Sequence, residues 1–331
     1  MIEVVGIGNA IVDVLAEVDD AEVSGLGLRK GAMTLVDAER GRALRDSVEP
    51  KMRRSGGSAA NTMVGIASLG GSAAFLGKVG DDELGRLFAA DLAGAGVSFG
   101  DVPPSTTDAT GMCLVLVTPE GERTMATFLG ASACLGPEDV DAALVASARI
   151  LYLEGYLWDP PPAMEAFRRA AEIAHRADRD VALTLSDPFC VERHRDAFRT
   201  LVAEHVDVLL ANEHELLALY EAADLDAAID QLRRAGRCAT AAITRSAKGS
   251  IVLAGGRRHD IPAEPVDRVV DTTGAGDLYA AGFLHGLATG RPPDECARIG
   301  SIAAAEVIGH FGARPEADLN ALVARRAGGQ R

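Results

Sequence analysis

Short apolar, β-branched runs alternate along this chain with longer stretches of helical periodicity, and that alternation leaves few folds open to it. Residues 3–7, 72–77, 149–153, 181–186, 206–210 and 239–244 have strand length and are almost continuously apolar. Between them, residues 59–69, 82–93, 162–177, 194–203 and 224–235 carry apolar side chains at helical spacing. Strands buried on both faces lose the two-residue polar alternation, and intervening helices supply the crossovers that parallel strands need. The expectation is a three-layer α/β/α domain around a mostly parallel sheet, with ligand at the C-terminal ends of its strands.

Two regions break this rhythm. Residues 11–18 and 32–36 read as strands with little helix between them. Residues 110–118 and 123–128 flank the turn Pro119-Glu120-Gly121-Glu122. Segments of about 11–50 and 97–130 therefore supply four short strands for a small sheet standing off the main body. Such a lid would cover a substrate and exclude water. Extra edge strands on the main sheet are the alternative. At 331 residues the chain is long enough for one large core plus this appendage. Only Gly328 to Arg331 reads as a loose tail.

Composition narrows the partners. A formal net charge of −15 with no Lys/Arg stripe argues against a nucleic-acid surface. There is no unbroken run of about 20 apolar residues, so no membrane span is expected. The opening residues 1–8 lack a basic n-region and read as a first strand, so the expected location is cytoplasmic. Five widely spaced cysteines without a Cys-x-x-Cys pair fit reduced, mostly buried thiols. The histidines form no zinc-type spacing. Monomer and homodimer both stay open.

The chemistry concentrates in Asp271-Thr272-Thr273-Gly274-Ala275-Gly276-Asp277, which enters the apolar run 278–287. Gly274, Ala275 and Gly276 leave backbone amides uncrowded at a helix start, an arrangement that binds anions. A carboxylate there, Asp277, is placed to take a proton from a hydroxyl attacking phosphorus. A merely capped helix, closed by Asp271 or Thr273, is the alternative. No Gly-x-x-x-x-Gly-Lys-Ser/Thr loop is present. The fit is an ATP-dependent small-molecule kinase.

Other residues could complete such a site. Ser55-Gly56-Gly57-Ser58-Ala59-Ala60-Asn61 enters a second apolar helix, with Gly57 allowing close approach and Asn61 an amide for hydroxyls. Asn9 and Asp13 lie where the first strand ends, and they supply a polyol grip or a turn. Asn212 and Glu215 follow a strand, either as a capping box or as residues orienting water on Mg²⁺. Thr244, Lys248 and Gly249 follow another and are candidates to flank a triphosphate. Tyr156 and Trp158 offer a wall for a planar ligand or a hydrophobic anchor.

Together these motifs resemble the ribokinase-like (PfkB-type) family of carbohydrate and nucleoside kinases over about residues 2–315. Residues 56–80 are similar to its amino-terminal signature, and residues 271–284 to its carboxyl-terminal Asp-Thr-x-Gly-Ala-Gly-Asp signature. The resemblance implies the ribokinase-like fold with a β-sheet lid and a large nucleotide-binding domain. It implies ATP as co-substrate, Asp277 as base and Gly274, Ala275 and Gly276 as anion hole. Asn212 and Glu215 would serve Mg²⁺, through water, and a monovalent cation such as K⁺ stays an open option.

Within the family the resemblance is nearest to the adenosine kinase branch. Gly8-Asn9-Ala10-Ile11-Val12-Asp13 is similar to its Gly-Asn-Pro-Leu-Leu-Asp, and residues 185–189 to its Leu-Ser-Ala-Pro-Phe. Residues 152–157 resemble its Tyr-Ile-Ala-Gly-Phe-Phe, and Gly121-Glu122-Arg123-Thr124 fits its lid. These matches imply that Asp13, Asn61 and the Gly57 backbone hold ribose hydroxyls. Ile11, Leu129, Ala131 and Tyr156 would surround the purine with Phe189 nearby, and Ile302 and Ala305 would wall the adenine of ATP. Thr273 and Glu154 depart from the branch, where asparagine and alanine stand. Glu154 is a possible acceptor from a sugar hydroxyl or a base amino group. The implied reaction is 5′-phosphorylation of a purine nucleoside, adenosine to AMP. A sugar kinase with the same mechanism is the alternative, and a silent ligand-binding member is more remote.

Overall fold

The computed structural model describes residues 1–328. Seven parallel strands, Thr240–Thr244, Val208–Asn212, Asp180–Thr184, Ala148–Glu154, Ile2–Ile7, Ala73–Leu76 and Val97–Phe99, lie side by side in that order. The antiparallel strands Ser250–Ala254 and Arg257–Ile261 extend one edge. Successive side chains of the central strands point to opposite faces and feed two cores. Val5, Ile7, Leu151 and Leu153 join one, whereas Val4, Ile150 and Tyr152 join the other.

Helix Pro161–Arg176 covers the first face, burying Ala163, Ala166, Phe167, Ala170, Ala171 and Ala174 at helical spacing. Trp158 anchors that layer, its ring 5.5 Å from Phe167 and 5.6 Å from Phe198. The other face carries helices Ser58–Ser68, Ala275–Ala288 and Pro293–Val307. A Cβ on Gly282 would sit 2.6 Å from the Gly300 Cα, so the last two helices touch backbone to backbone. A Cβ on Gly65 would sit 2.6 Å from the Ala281 Cβ, and this second close approach brings the starts of Ser58–Ser68 and Ala275–Ala288 together at one end of the sheet.

A second sheet stands apart, in the order Met33–Leu35, Arg123–Phe128, Gly111–Val117, Ile11–Glu17, Met52–Gly56. Alternation along its strands is decisive. Val12, Val14, Ala16, Met112, Leu114, Leu116 and Ala126 are buried against Val23 and Leu44 of the short covering helices Asp20–Gly25 and Ala38–Asp46. Ile11, Asp13, Leu15, Val115, Arg123 and Met125 face the gap between the sheets.

Several details differ from the sequence expectation. The small sheet has a fifth strand, Met52–Gly56, which pairs Arg54 with Asp13. Its Arg53-Arg54 pair breaks the apolar pattern that marks a strand. Val97–Phe99, inside the segment assigned to the lid, instead pairs with Ala73–Leu76, with Val97 buried. The Asp20–Gly25 helix interrupts a stretch read as nearly helix-free, and it closes through a capping box between Asp19 and Glu22. The last helix runs Leu319–Gly328, and Gly329 to Arg331 lie outside the described residues. Among the described residues no helix is long and apolar enough to cross a membrane. All five cysteines are free, three of them buried.

Candidate active site

The strand ends converge on a cleft of about 1230 Å³, roofed by the inner face of the small sheet. Helix Ala275–Ala288 opens into it from Gly274, whose φ of 79° and whose missing Cβ, 2.6 Å from the Ala313 Cα, exclude any other residue without distortion. Ala275 donates its N–H to the Thr272 carbonyl at 3.2 Å. Among the described residues the amides of Gly274, Gly276 and Asp277 have no acceptor, so these three face the cleft as free donors.

Asp277 lies beside them. Ser58 donates its hydroxyl to Oδ1 at 2.6 Å, and Asn61 donates Nδ2 to Oδ2 at 3.2 Å. Burial pushes the Asp277 carboxyl up to about 6, while these two donors pull it down. It is therefore a hydrogen-bonded carboxylate poised near neutrality.

Asp271 shapes the preceding loop. Its Oδ1 accepts from the Thr273 amide and hydroxyl at 3.0 and 2.7 Å, and its Oδ2 accepts from the Gly312 amide at 2.9 Å. Arg123 reaches down from the small sheet to within 2.6 Å of Asp271, and its Nη1 donates to the Thr273 hydroxyl at 3.3 Å. Its Nη2 makes this ion pair with Asp271 Oδ2, whereas its Nε is buried without a hydrogen-bond partner. A guanidinium with one unused N–H beside free amides suits an anionic ligand.

At the acceptor end, Asp13 faces the cleft from Ile11–Glu17, and burial raises its carboxyl to about 6 despite nearby Arg314, Arg54 and Arg123. Added Cβ atoms would strike the Asp13 carboxyl from Gly56 and the Asn9 carbonyl from Gly57. The paired glycines thus let strand and helix close on this corner. Asn9 is buried, donates Nδ2 to Glu154 Oε1 at 2.8 Å and accepts from Ser132 Oγ at 3.0 Å. Glu154 Oε2 accepts from the Ala59 amide at 2.8 Å, and burial pushes this carboxyl up to about 7. The Asn9–Glu154 pair therefore ties the first strand to the start of Ser58–Ser68.

At the opposite end, Asn212 caps helix Glu213–Tyr220. Its Oδ1 accepts from the Glu215 amide at 2.9 Å, and Glu215 Oε2 accepts from the Asn212 amide at 2.9 Å. Burial raises Glu215 to about 7. Ile11, Leu129, Tyr156, Phe189, Thr244 and Thr273 also line the cleft. Ala131, Lys248, Gly249, Ile302 and Ala305 do not. Ala131 and Ile302 are in the core, and Lys248 sits outside, 3.6 Å from Glu213. Gly249, at φ 81°, makes the turn into Ser250–Ala254. Sequence reasoning missed Arg54 and Arg314. Neither stands in a motif, and Arg314 reaches Asn61 across 253 positions.

Residues 43–319 match the profile of the pfkB family carbohydrate kinases. The chain belongs to that family. It is an ATP-dependent kinase whose acceptor is a sugar or nucleoside. Its fold superposes on an adenosine kinase from Sinorhizobium meliloti with a TM-score of 0.89 and 48% identity, covering 98% of this chain and 99% of that one. A probable sugar kinase from Rhizobium etli gives a TM-score of 0.90 and 43% identity, covering 99% and 98%. The adenosine kinase of Saccharomyces cerevisiae is 29% identical over 328 residues, 92% of this chain and 94% of that protein.

Proposed function

We propose that this kinase phosphorylates the 5′-hydroxyl of a purine nucleoside, adenosine foremost, giving AMP and ADP. The observation that carries the reading is the inner face of the small sheet. Beside the polar corner of Asp13 and Asn61 it presents Leu15, Val115, Met125, Met33 and Leu35, with Tyr156 and Phe189 across the cleft. Met33, Leu35, Tyr156 and Phe189 are exposed as they stand. A ribose would use the polar corner alone. A nucleobase would cover the apolar surface, at roughly 25 cal/mol per Å² of apolar area buried. The extent of the likeness to the S. meliloti adenosine kinase supports the same acceptor.

The residues divide the chemistry in a simple way. Asp13, with the second N–H of the Asn61 amide that the bond to Asp277 leaves unused, holds the ribose hydroxyls so that the 5′-oxygen lies near Asp277. Asp277 takes the proton as that oxygen bonds to the γ-phosphorus, and ADP leaves with the electrons of the broken P–O bond. The amides of Gly274, Gly276 and Asp277, with Arg123, receive the charge on the transferring group. ATP enters with Mg²⁺. Among the described residues no group of three or more His, Cys, Asp or Glu forms a cage for a metal ion. Asn212 and Glu215 are tied to each other by the capping box, a donor set that fits a metal held through its waters and by phosphate. Both Glu154 oxygens already accept hydrogen bonds from Asn9 and Ala59, which disfavours a sugar contact there.

Comparing kcat/KM for adenosine and ribose in one coupled assay tests the acceptor. Adenosine is expected to win by at least about 100-fold, the equivalent of burying some 100 Å² of apolar surface. A preference for ribose overturns the nucleoside reading.

A further inference from the structure

We infer that Arg314 is a positioning residue for phosphoryl transfer: it holds the Asn61 amide in the one orientation that donates to Asp277. The inference rests on the reading of Asp277 as the base. Arg314 lies beyond helix Pro293–Val307 and is only 9% exposed. Its Nη1 donates to Asp91 Oδ2 at 2.8 Å, its Nη2 donates to the Ser55 hydroxyl, and its Nε points at Asn61 Oδ1 at 3.4 Å. Asp91 Oδ2 also accepts from the Ser55 amide and hydroxyl at 2.9 and 2.5 Å. The guanidinium is therefore locked from two sides, by a helix (Glu83–Gly94) and by the small-sheet strand Met52–Gly56.

The consequence follows from the asymmetry of an amide. One end of Asn61 accepts and the other donates. With a fixed cation on Oδ1, Nδ2 must face Asp277, as the 3.2 Å bond shows. Turned the other way, Asn61 would set its carbonyl oxygen against the carboxylate and its NH₂ against the guanidinium. Both contacts would be repulsive, and the carboxylate would be driven toward its protonated, non-basic form. The Arg314 bond is long, but it is charge-assisted, and its geometry is enforced by the two stronger anchors. The neighbouring segment serves the same site: Ala313 abuts Gly274, and the Gly312 amide binds Asp271.

Other charges face Asp277 as well. Asp13 does so from the small sheet, with Arg54 and Arg123 close to it, and Tyr152, Glu154 and Tyr156 do so from the central strand and the turn after it. None of these hydrogen-bonds to the Asn61 amide, so a change at Arg314 that acts through Asn61 can be separated from a general change in field.

The test is a double-mutant cycle on kcat with MgATP and adenosine, using Arg314→Lys, Asn61→Ala and the pair. Lysine keeps the charge beside Asp91 but cannot reach all three acceptors. Arg314→Lys is expected to lower kcat about tenfold, the weight of one charge-assisted bond. The KM for ATP should stay within about twofold, and the acid limb of kcat/KM should move to higher pH. In the Asn61→Ala background the same substitution should change kcat by less than about twofold, because the coupling is already gone. Equal losses in both backgrounds, or an unchanged kcat and acid limb in Arg314→Lys, overturn the inference. If Arg314→Lys melts too low to assay, Asp91→Asn, which loosens the anchor and leaves Arg314 present, takes its place in the same cycle. Asp277→Asn measured alongside keeps the two readings apart. Full turnover there removes the base, whereas loss there with additive effects at Arg314 and Asn61 removes only the positioning role.

Discussion

Replacing Asp277 by asparagine should change activity and stability in opposite directions, and the structure fixes the scale of both. Burial raises this carboxyl from an ordinary 3.8 to about 6. An acid whose folded value lies above its unfolded value is protonated in both states below about pH 4 and ionised in both above about pH 6. Between those limits the unfolded chain has already released the proton while the folded protein retains it, so stability falls as pH rises through the window. A shift of about two units corresponds to about 3 kcal/mol at 1.36 kcal/mol per unit, and partial access to solvent reduces that to about 1–2 kcal/mol. Asparagine does not titrate. The stability of Asp277→Asn relative to wild type should therefore improve by about 1–2 kcal/mol between pH 4 and pH 7, whatever constant offset arises from disturbing Ser58 and Asn61.

Urea unfolding of both proteins across that range gives the difference directly. Single-turnover transfer from ATP to adenosine should meanwhile fall by about 10²–10⁴-fold, the ordinary weight of proton-transfer catalysis. Wild-type kcat/KM should lose activity below about pH 6 as the same group protonates. Parallel stability curves would show that Asp277 is not held at an unfavourable charge. A transfer rate within about threefold of wild type would show that it is not the base.

Two further substitutions probe the phosphate end. Glu215→Gln keeps the helix cap nearly isosteric but removes a carboxylate from the cleft wall, so on the proposed reading the Mg²⁺ concentration for half-maximal rate should rise several-fold; superimposable Mg²⁺ titrations would leave Glu215 as a capping residue alone. Gly274→Ala forces a side chain onto a φ of 79° and into the Ala313 backbone. It should cost about 1–3 kcal/mol in urea unfolding and abolish most transfer, and an unchanged midpoint together with full activity would refute the account of that turn.

What the sequence discloses tracks how local the physics is. The parallel strands are legible because burial on both faces turns each into a continuous apolar run, and Asp277 is legible because its helix start, glycines and carboxylate are consecutive. Met52–Gly56 is hidden, since an edge strand carrying Arg53 and Arg54 has no apolar alternation to show. Glu154 illustrates a subtler limit. Its type and place beside a strand end read equally well as a sugar acceptor, and only the fold shows that Asn9 and Ala59 already occupy both oxygens. Arg314 lies further out of reach. The residues it joins come from a small-sheet strand and two helices, it lies itself after a third, and no spacing rule links position 314 to positions 55, 61 and 91. The groups proposed to carry the reaction sit in short motifs, whereas those proposed to set their orientation are assembled by topology. A search for motifs therefore finds the proposed base and overlooks the arginine proposed to aim it.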